Sequence, residues 1–303
     1  MNRRLLLLDT ASLYFRAYFG LPDSLRSESG HPVNAVRGLL DFLSRFLVEY
    51  SPTDVACCWD DDWRPAWRVD LLPSYKAHRV AAPGGGEAED VPAALNAQVP
   101  WIRDVLDALG IAVVGAPGFE ADDVIATLAT RAPGPVDVVT GDRDLFQLVD
   151  DDAGVRVLYV ARGVARHERV DDAWLAAKYA ISGAQYVDFA VLRGDPSDGL
   201  PGVRGIGEKT AATLLARYGD LDGIVAHASA LSPGVQRSLA AAVGYLGPAR
   251  EVVTAARDIA LPETDLALPG SPRDPEAFAR LRAELNLGGA AERILKALAL
   301  AAR

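Results

Sequence analysis

Residues 136–144 read VDVVTGDRD, and this stretch decides the fold. A short β-prone run, 136–140, stops at Gly141 and is followed at once by Asp142 and Asp144. The same signature recurs upstream, with 5–8 running into Asp9 and 55–59 into Asp60, and further apolar runs stand at 111–114 and 155–160. Between them lie stretches of helical spacing at 34–50, 92–109 and 121–131. This alternation predicts an α/β fold with a mostly parallel sheet flanked by helices. In such sheets ligands bind at the carboxyl ends of the strands, which is where Asp9, Asp60 and Asp142 fall.

From about residue 171 the pattern changes to alanine- and leucine-rich helical segments separated by Gly and Pro, and no strand is read after 155–160. The domain change is therefore placed near 180, giving an α/β core at 1–180 and a helical unit at 181–303. Residues 81–90 and 261–272 read as loops because Pro and Gly interrupt them. The 303 residues suffice for two domains with a sizeable core. Hydrophobic residues make up 50% and charged residues 24%, with no long polar tract, which excludes disorder, collagen and coiled coil. The opening MNRRLLLLDT loses its apolar character at Asp9, too early for a signal peptide or a membrane span. A cytoplasmic protein without membrane contact is expected. Cys57 and Cys58 are adjacent in an apolar run, so they read as buried, reduced thiols rather than a disulfide or zinc pair.

Acids gather in five places: Asp9; Asp60 to Asp62; Glu120, Asp122 and Asp123; Asp142 and Asp144; and Asp195 and Asp198. In GFEADDV the acids open a helix, so Glu120 and Asp123 share a face while Asp122 points elsewhere. Helix capping explains any one cluster taken singly. It does not explain the ensemble, because carboxylates brought together at strand ends repel one another unless cations neutralise them. Oxygen donors without His or Cys favour Mg²⁺ or Mn²⁺ over Zn²⁺. Two such ions about 4 Å apart suit in-line hydrolysis of a phosphodiester.

The net charge of −10 argues against a nucleic-acid binder when taken whole. Setting aside nine candidate ligands (Asp9, Asp60, Glu120, Asp122, Asp123, Asp142, Asp144, Asp195, Asp198) leaves 32 acids against 31 bases, so local basic patches are allowed. The bases are nearly all arginine. Lysine survives only at Lys76, Lys178, Lys209 and Lys296.

Residues 194–215, GDPSDGLPGVRGIGEKTAATLL, are the most specific stretch. Glu208 stands between Gly207 and Lys209 and no strand precedes, so this is not a phosphate loop, and the glycine spacing fails the dinucleotide fingerprint. What remains is a tight hairpin between helices, in which Gly205, Ile206 and Gly207 let backbone N–H groups approach a phosphate with Lys209 close by. A structural αα-corner is the plainer alternative.

Together, LLLLDT, GHPVNAVRG (30–38), WD (59–60), YKAHR (75–79), GFEADDVIATLA (118–129), VVTGDRDLFQLV (138–149) and GDPSDGLPGVRGIGEKTA (194–211) resemble the bacterial 5′-3′ exonuclease and flap endonuclease family. Its members also form the N-terminal domain of many family-A DNA polymerases. The likeness runs to about Leu261. It implies a Rossmann-like, PIN-like core, a helical arch for a single-stranded 5′ end at about 63–91, and a helix-hairpin near 200–215 that grips duplex DNA. It further implies two or three Mg²⁺ or Mn²⁺ ions, a K⁺ ion at the hairpin, and products ending in 5′-phosphate and 3′-hydroxyl.

Carried over by motif, Asp9, Glu120, Asp122 and Asp142 match acids nearer one ion, Asp144, Asp195 and Asp198 acids nearer the other, and Asp123 either shell. For the remaining ligand, Asp60 is preferred to Asp61 because it directly ends the apolar run, although Asp61 has the family's seven-residue spacing to Arg68. Lys76 and Arg79 match cations at the base of the arch, over the scissile phosphate; a solvated helix face is the alternative. Arg16 is expected as a phosphate or carboxylate partner, and Tyr75 as a platform for a base. Arg204, Gly205, Ile206, Gly207, Lys209 and Thr210 are expected on DNA. The glycines of 83–86 suggest arch mobility, and Gly199, where relatives commonly have Asn, is expected to loosen the turn that carries Asp198.

The implied activity is cutting of 5′ flaps, nicked or gapped duplex and 5′ ends by a monomer, with any polymerase or ligase as separate proteins, since the chain ends at Arg303. A ribonuclease with a similar acidic core and a non-catalytic DNA-binding scaffold are the rivals.

Overall fold

The computed structural model describes residues 3–81 and 89–301. The first strand, β1 (Leu5–Asp9), runs directly into α1 (Thr10–Gly20), then α2 (Asn34–Tyr50), β2 (Asp54–Cys58) and the short α3 (Ala66–Leu71). A 3₁₀ turn at Ala77–Arg79 follows, then α4 (Ala93–Asn96), α5 (Val99–Leu109), β3 (Ala112–Val114), α6 (Ala121–Arg131) and β4 (Val136–Thr140). β5 (Val155–Tyr159) and β6 (Glu168–Val170) complete the sheet, whose order is β3-β2-β1-β4-β5-β6, parallel except for the antiparallel pair β5–β6. The three-residue β6 is too short for the alternation that announces a strand, and for that reason it is missed from sequence.

Side chains of β1 alternate between two cores. Leu5 and Leu7 pack with α6 and the later helices, whereas Leu6 and Leu8 pack with α2 and α5. In β2 the same alternation sends Cys58 to the first core and Cys57 to the second, so the adjacent thiols cannot face each other. Burial pushes the Cys57 thiol up to about 12, which makes it inert at neutral pH.

The helical part comprises α7 (Asp172–Tyr179), α8 (Tyr186–Arg193), α9 (Glu208–Tyr218), α10 (Leu221–Ala226), α11 (Pro233–Ala241) and α12 (Val243–Val253). The last two helices, α13 (Pro275–Glu284) and α14 (Gly288–Ala301), turn back to the α/β core. Phe278, Leu287, Ile294 and Leu298 join the core of α2 and α5, although the sequence reading assigned them to the helical unit. A sequence contains no sign of which core an apolar helix face will join.

One further reading is corrected. The 92–109 helix is broken at Ala97 and Gln98, because Pro100 lacks the N–H that a continuous helix would need. The loop read at 261–272 is found, and it touches the sheet edge at one isolated bridge: Val55 N–H donates to the Leu266 carbonyl at 2.8 Å and Leu268 N–H to the Thr53 carbonyl at 2.9 Å. Within the expected arch, Val80 and Glu89 pair across residues 82–88, while the glycines of 83–86 lie outside the described residues.

Candidate active site

Three strand ends bring the first acids together. Asp9 ends β1 and caps α1, its Oδ1 accepting from Ser12 N–H at 3.2 Å, while Oδ2 accepts from the Thr140 hydroxyl at 2.6 Å. Thr140, at the end of β4, also accepts from Asp142 N–H at 2.8 Å, and Asp142 in turn accepts from Asp144 N–H at 3.0 Å. Asp60 follows β2 and accepts from Ala121 N–H at 2.8 Å at the start of α6. Asp61 faces Arg103 and Gly115 instead.

Asp9, Asp60, Glu120, Asp122 and Asp142 line one cleft of about 620 Å³, as do Lys76 and Arg79. Phe15, Trp63, Glu89 and Tyr159 supply more of the wall. Asp144, Asp195 and Asp198 lie beside this cleft rather than on its surface, and Asp142 links the two groups electrostatically through Asp144 and Asp198.

Electrostatic crowding is visible in the carboxyls. Burial, reinforced by Asp60, pushes Asp9 up to about 7. Asp198 rises to about 6 through burial and Asp142, against the opposing pull of Lys76. Asp122 is held well above the carboxylate range by burial, Asp142 and Asp9, and Asp144 by burial, Asp142 and Asp198. For Lys76, burial acts to lower the ammonium, but Glu120 and its neighbours hold it well above the usual lysine value.

The acids differ in what already satisfies them. Glu120 accepts from Lys76, Arg68 and the Tyr75 hydroxyl. Asp195 accepts from Arg143 and Arg193, each at 3.0 Å, and from Ser197. Oδ1 of Asp144, by contrast, is buried without any hydrogen-bond partner. That orphaned oxygen and the mutual elevation of Asp9, Asp122, Asp144 and Asp198 fit a divalent cation, and the oxygen-only donor set fits a hard one. Among the described residues, however, no three acids converge closely enough to cage an ion as they stand.

Four sequence expectations need correction. Asp123 is absent from the cleft because both its oxygens are used by Arg68, by Ala256 N–H at 2.8 Å and by Glu120 N–H at 3.2 Å. It completes a capping box with Glu120, so its role is to hold structure. Tyr75 is 4% exposed and cannot stack on a base. Of the two partners expected for Arg16, the carboxylate is not found among the described residues: its guanidinium donates to the Ala161 carbonyl at 3.2 Å. Gly199 does not loosen its turn: with φ +74°, a Cβ there would meet the Ser74 carbonyl oxygen at 2.0 Å, so glycine permits close packing.

Several contributors were missed from sequence. Thr140 and Ser12, whose Oγ accepts from Gly141 N–H at 3.0 Å, tie β1 to β4. Hydroxyl residues flanking DT and TGD were the available signal. Arg68 entered the sequence reading only through its spacing to Asp60 and Asp61, without a partner, and Arg143, Arg193 and Glu89 have no local signature, because their partners are distant in the chain.

The hairpin joins α8 to α9. Val203 and Ile206 are buried anchors, so Ile206 can offer a ligand only its backbone. Arg204, Gly205, Gly207 and Lys209 are exposed and Thr210 is half-buried. Gly205 has φ +78°, and a Cβ at Gly205 or Gly207 would meet nothing within 4 Å. Packing therefore does not require Gly207, whereas close approach of a ligand backbone would.

Comparison with known proteins accords with this arrangement. Family models described as "5'-3' exonuclease, N-terminal resolvase-like domain" and "5'-3' exonuclease, C-terminal SAM fold" match residues 4–180 and 181–276. A 5′-3′ exonuclease of Streptomyces coelicolor is 58% identical over 97% of this chain and 99% of its own length. DNA polymerase I of Mycobacterium tuberculosis is 40% identical over 98% of this chain, which spans 32% of that protein. The bacteriophage T5 flap endonuclease, solved as a pseudo-enzyme-product complex with DNA and metal ions, shares the fold with a TM-score of 0.64 at 17% identity, covering 98% of this chain and 100% of that one. The chain belongs to the 5′-3′ exonuclease family.

Proposed function

We propose that this protein is a divalent-metal-dependent 5′-3′ exodeoxyribonuclease and 5′-flap endonuclease that leaves 5′-phosphate and 3′-hydroxyl ends. The observation that carries this reading is the cleft itself, lined by five carboxylates and by two cations, Lys76 and Arg79. The names of the relatives and the DNA and metal ions of the T5 complex support it.

Asp9, Asp60, Glu120, Asp122 and Asp142 would hold metal at the cleft, and Asp144 and Asp198, with Asp195 behind them, would hold it at the edge. Mg²⁺ or Mn²⁺ in such a site supplies hydroxide at neutral pH and neutralises charge on a phosphodiester. Lys76 and Arg79 then orient the scissile phosphate and stabilise charge that develops on it. Thr140 and Ser12 fix Asp9 and the Asp142 turn relative to each other, so that reacting groups need little reorganisation. The glycine hairpin holds the duplex through backbone N–H groups, with Arg204 and Lys209 beside it and K⁺ as the bridging ion, which gives little sequence preference. Ends of this chemistry are what a DNA ligase joins, so a ligase and a DNA polymerase acting on the same nick are the fitting partners.

The test is an end-labelled 5′-flap duplex incubated with Mg²⁺, Mn²⁺ or chelator, beside a single-stranded RNA of matching sequence. Cleavage of the DNA flap that disappears with chelator is expected. Preferential cutting of the RNA would favour a ribonuclease, and metal-dependent binding without cutting would favour a scaffold.

A further inference from the structure

On the side of α9 that packs near α7, a groove of about 700 Å³ is lined by Lys178, Lys209 and Arg217. Two of the chain's four lysines thus meet in one place. All three cations are exposed, and among the described residues none takes part in an ion pair. In a chain of net charge −10, unneutralised bases gathered on one surface are notable, and Glu208 is the single acid along the groove. Its floor includes Ala177, Ala212 and Ala216, whose short side chains let a bulky backbone approach.

Lys209 belongs to the hairpin as well as to this groove, so the two surfaces are continuous. Lys209 and Arg217 are eight residues apart in α9, about 12 Å at the rise of an α-helix. That length corresponds to roughly three or four base pairs, since each strand presents a phosphate about every 3.4 Å of duplex axis.

We propose that the α7–α9 groove is a second seat for duplex DNA, taking the phosphate backbone of the arm that the hairpin holds and lengthening the footprint beyond it. The proposal rests on the assignment of the hairpin to duplex binding. Contacts to phosphate carry no sequence information, so the groove sets arm length and salt dependence rather than base preference.

The experiment measures binding of the full chain to flap substrates without divalent ions, across a salt series, with a duplex arm of about 6 or about 20 base pairs, one phosphate per strand falling every 3.4 Å or so. Lys178→Gln with Arg217→Gln should lower the salt slope by about two on the long arm and leave the short arm unchanged. Lys178→Gln alone should lower it by about one. A long-arm slope equal to that of the parent in both variants would overturn the groove, as would an equal fall on both arms. Lys209→Ala is the reference: if it leaves both slopes unchanged, the hairpin assignment itself has failed, a result distinct from failure of the groove alone.

Discussion

The Arg68 guanidinium grips the Asp123 carboxylate through hydrogen bonds of 2.7 and 2.8 Å, with both side chains buried. The same guanidinium donates to Glu120 and, at 3.0 Å, to the Val252 carbonyl, so it joins α3, α6 and α12 at the back of the cleft. Asp122, the next residue back along the helix, turns instead into the cleft.

Two neighbouring aspartates should therefore fail in opposite ways. Asp123→Asn weakens the charge pairing of a buried arginine and should destabilise the fold by about 3 kcal/mol or more. Asp122→Asn removes a carboxylate that Asp142 and Asp9 repel, so it should abolish cleavage without lowering metal-free stability. Denaturant unfolding and a flap assay on both variants separate the roles. A stable, inactive Asp123→Asn protein would return Asp123 to the metal site.

Metal-free stability should depend on pH with a sign set by the raised carboxyls. Asp9 at about 7 and Asp198 at about 6 bind protons more tightly in the folded chain than in the unfolded one, where the ordinary value is 3.8. Their favourable contribution is complete below that ordinary value and is lost as pH climbs through 6 to 7. In chelator the Tm should fall between pH 5 and pH 8, by about 2–4 °C for each kcal/mol lost. Mg²⁺ or Mn²⁺ should restore it chiefly at the upper pH, where the carboxylates are ionised. A metal-induced shift equal at both pH values would show that these groups are not the ones relieved.

Much of this site was legible because strand ends are written locally. An apolar run that stops at or just before an acid put Asp9, Asp60 and Asp142 at strand ends, and all three line one cleft. The 3.6-residue period also separated Asp122 from the face shared by Glu120 and Asp123. What a sequence does not contain is the partner of a charge. Nothing near Asp123 announces Arg68, fifty-five residues away in the chain. Equally, the apolar face of α14 gives no hint that α2 will receive it. Tyr75 looked like a platform because tyrosine beside lysine fits that use, and burial alone overrules it.

Tyr75→Phe should accordingly act on Glu120 and not on DNA. It removes a 2.7 Å hydrogen bond to a buried carboxylate while keeping the ring, at a cost of about 1–3 kcal/mol. Flap affinity should stay within twofold or so, since the ring never reaches a base. Affinity that drops while stability holds would restore the stacking role.

Lys76→Ala should slow single-turnover cleavage on the order of 10² to 10³, the loss expected for one transition-state donor. Because its ammonium pairs with Glu120, the variant also leaves that acid with one cation fewer. Lys76→Arg keeps the charge and serves as the control: recovery of substrate affinity without recovery of rate would assign Lys76 to placement of the phosphate during chemistry. A parental rate in Lys76→Ala would leave it only the buried partner of Glu120.

The close approach of Gly199 to Ser74 links the Asp198 turn to the segment that carries Lys76 and Arg79. Lys76 N–H donates to the Asp198 carbonyl at 3.1 Å, and Arg79 donates to the Ser197 carbonyl at 2.8 Å and to the Asp198 carboxylate at 3.0 Å. Asn tolerates the positive φ of this position, but its Cβ would stand 2.0 Å from the Ser74 oxygen, so one backbone segment must move. Gly199→Asn should therefore leave the sheet and helices intact yet shift Lys76 and Arg79 relative to Asp198. A displacement of about 1 Å in a catalytic group can cost about 10²-fold in rate, and a loss of that order is expected under single turnover. Duplex affinity, which the proposed function assigns to the backbone of Gly205 to Gly207, should change little. A Gly199→Asn protein that cleaves flaps at the parental rate would show that the turn and the arch base move independently.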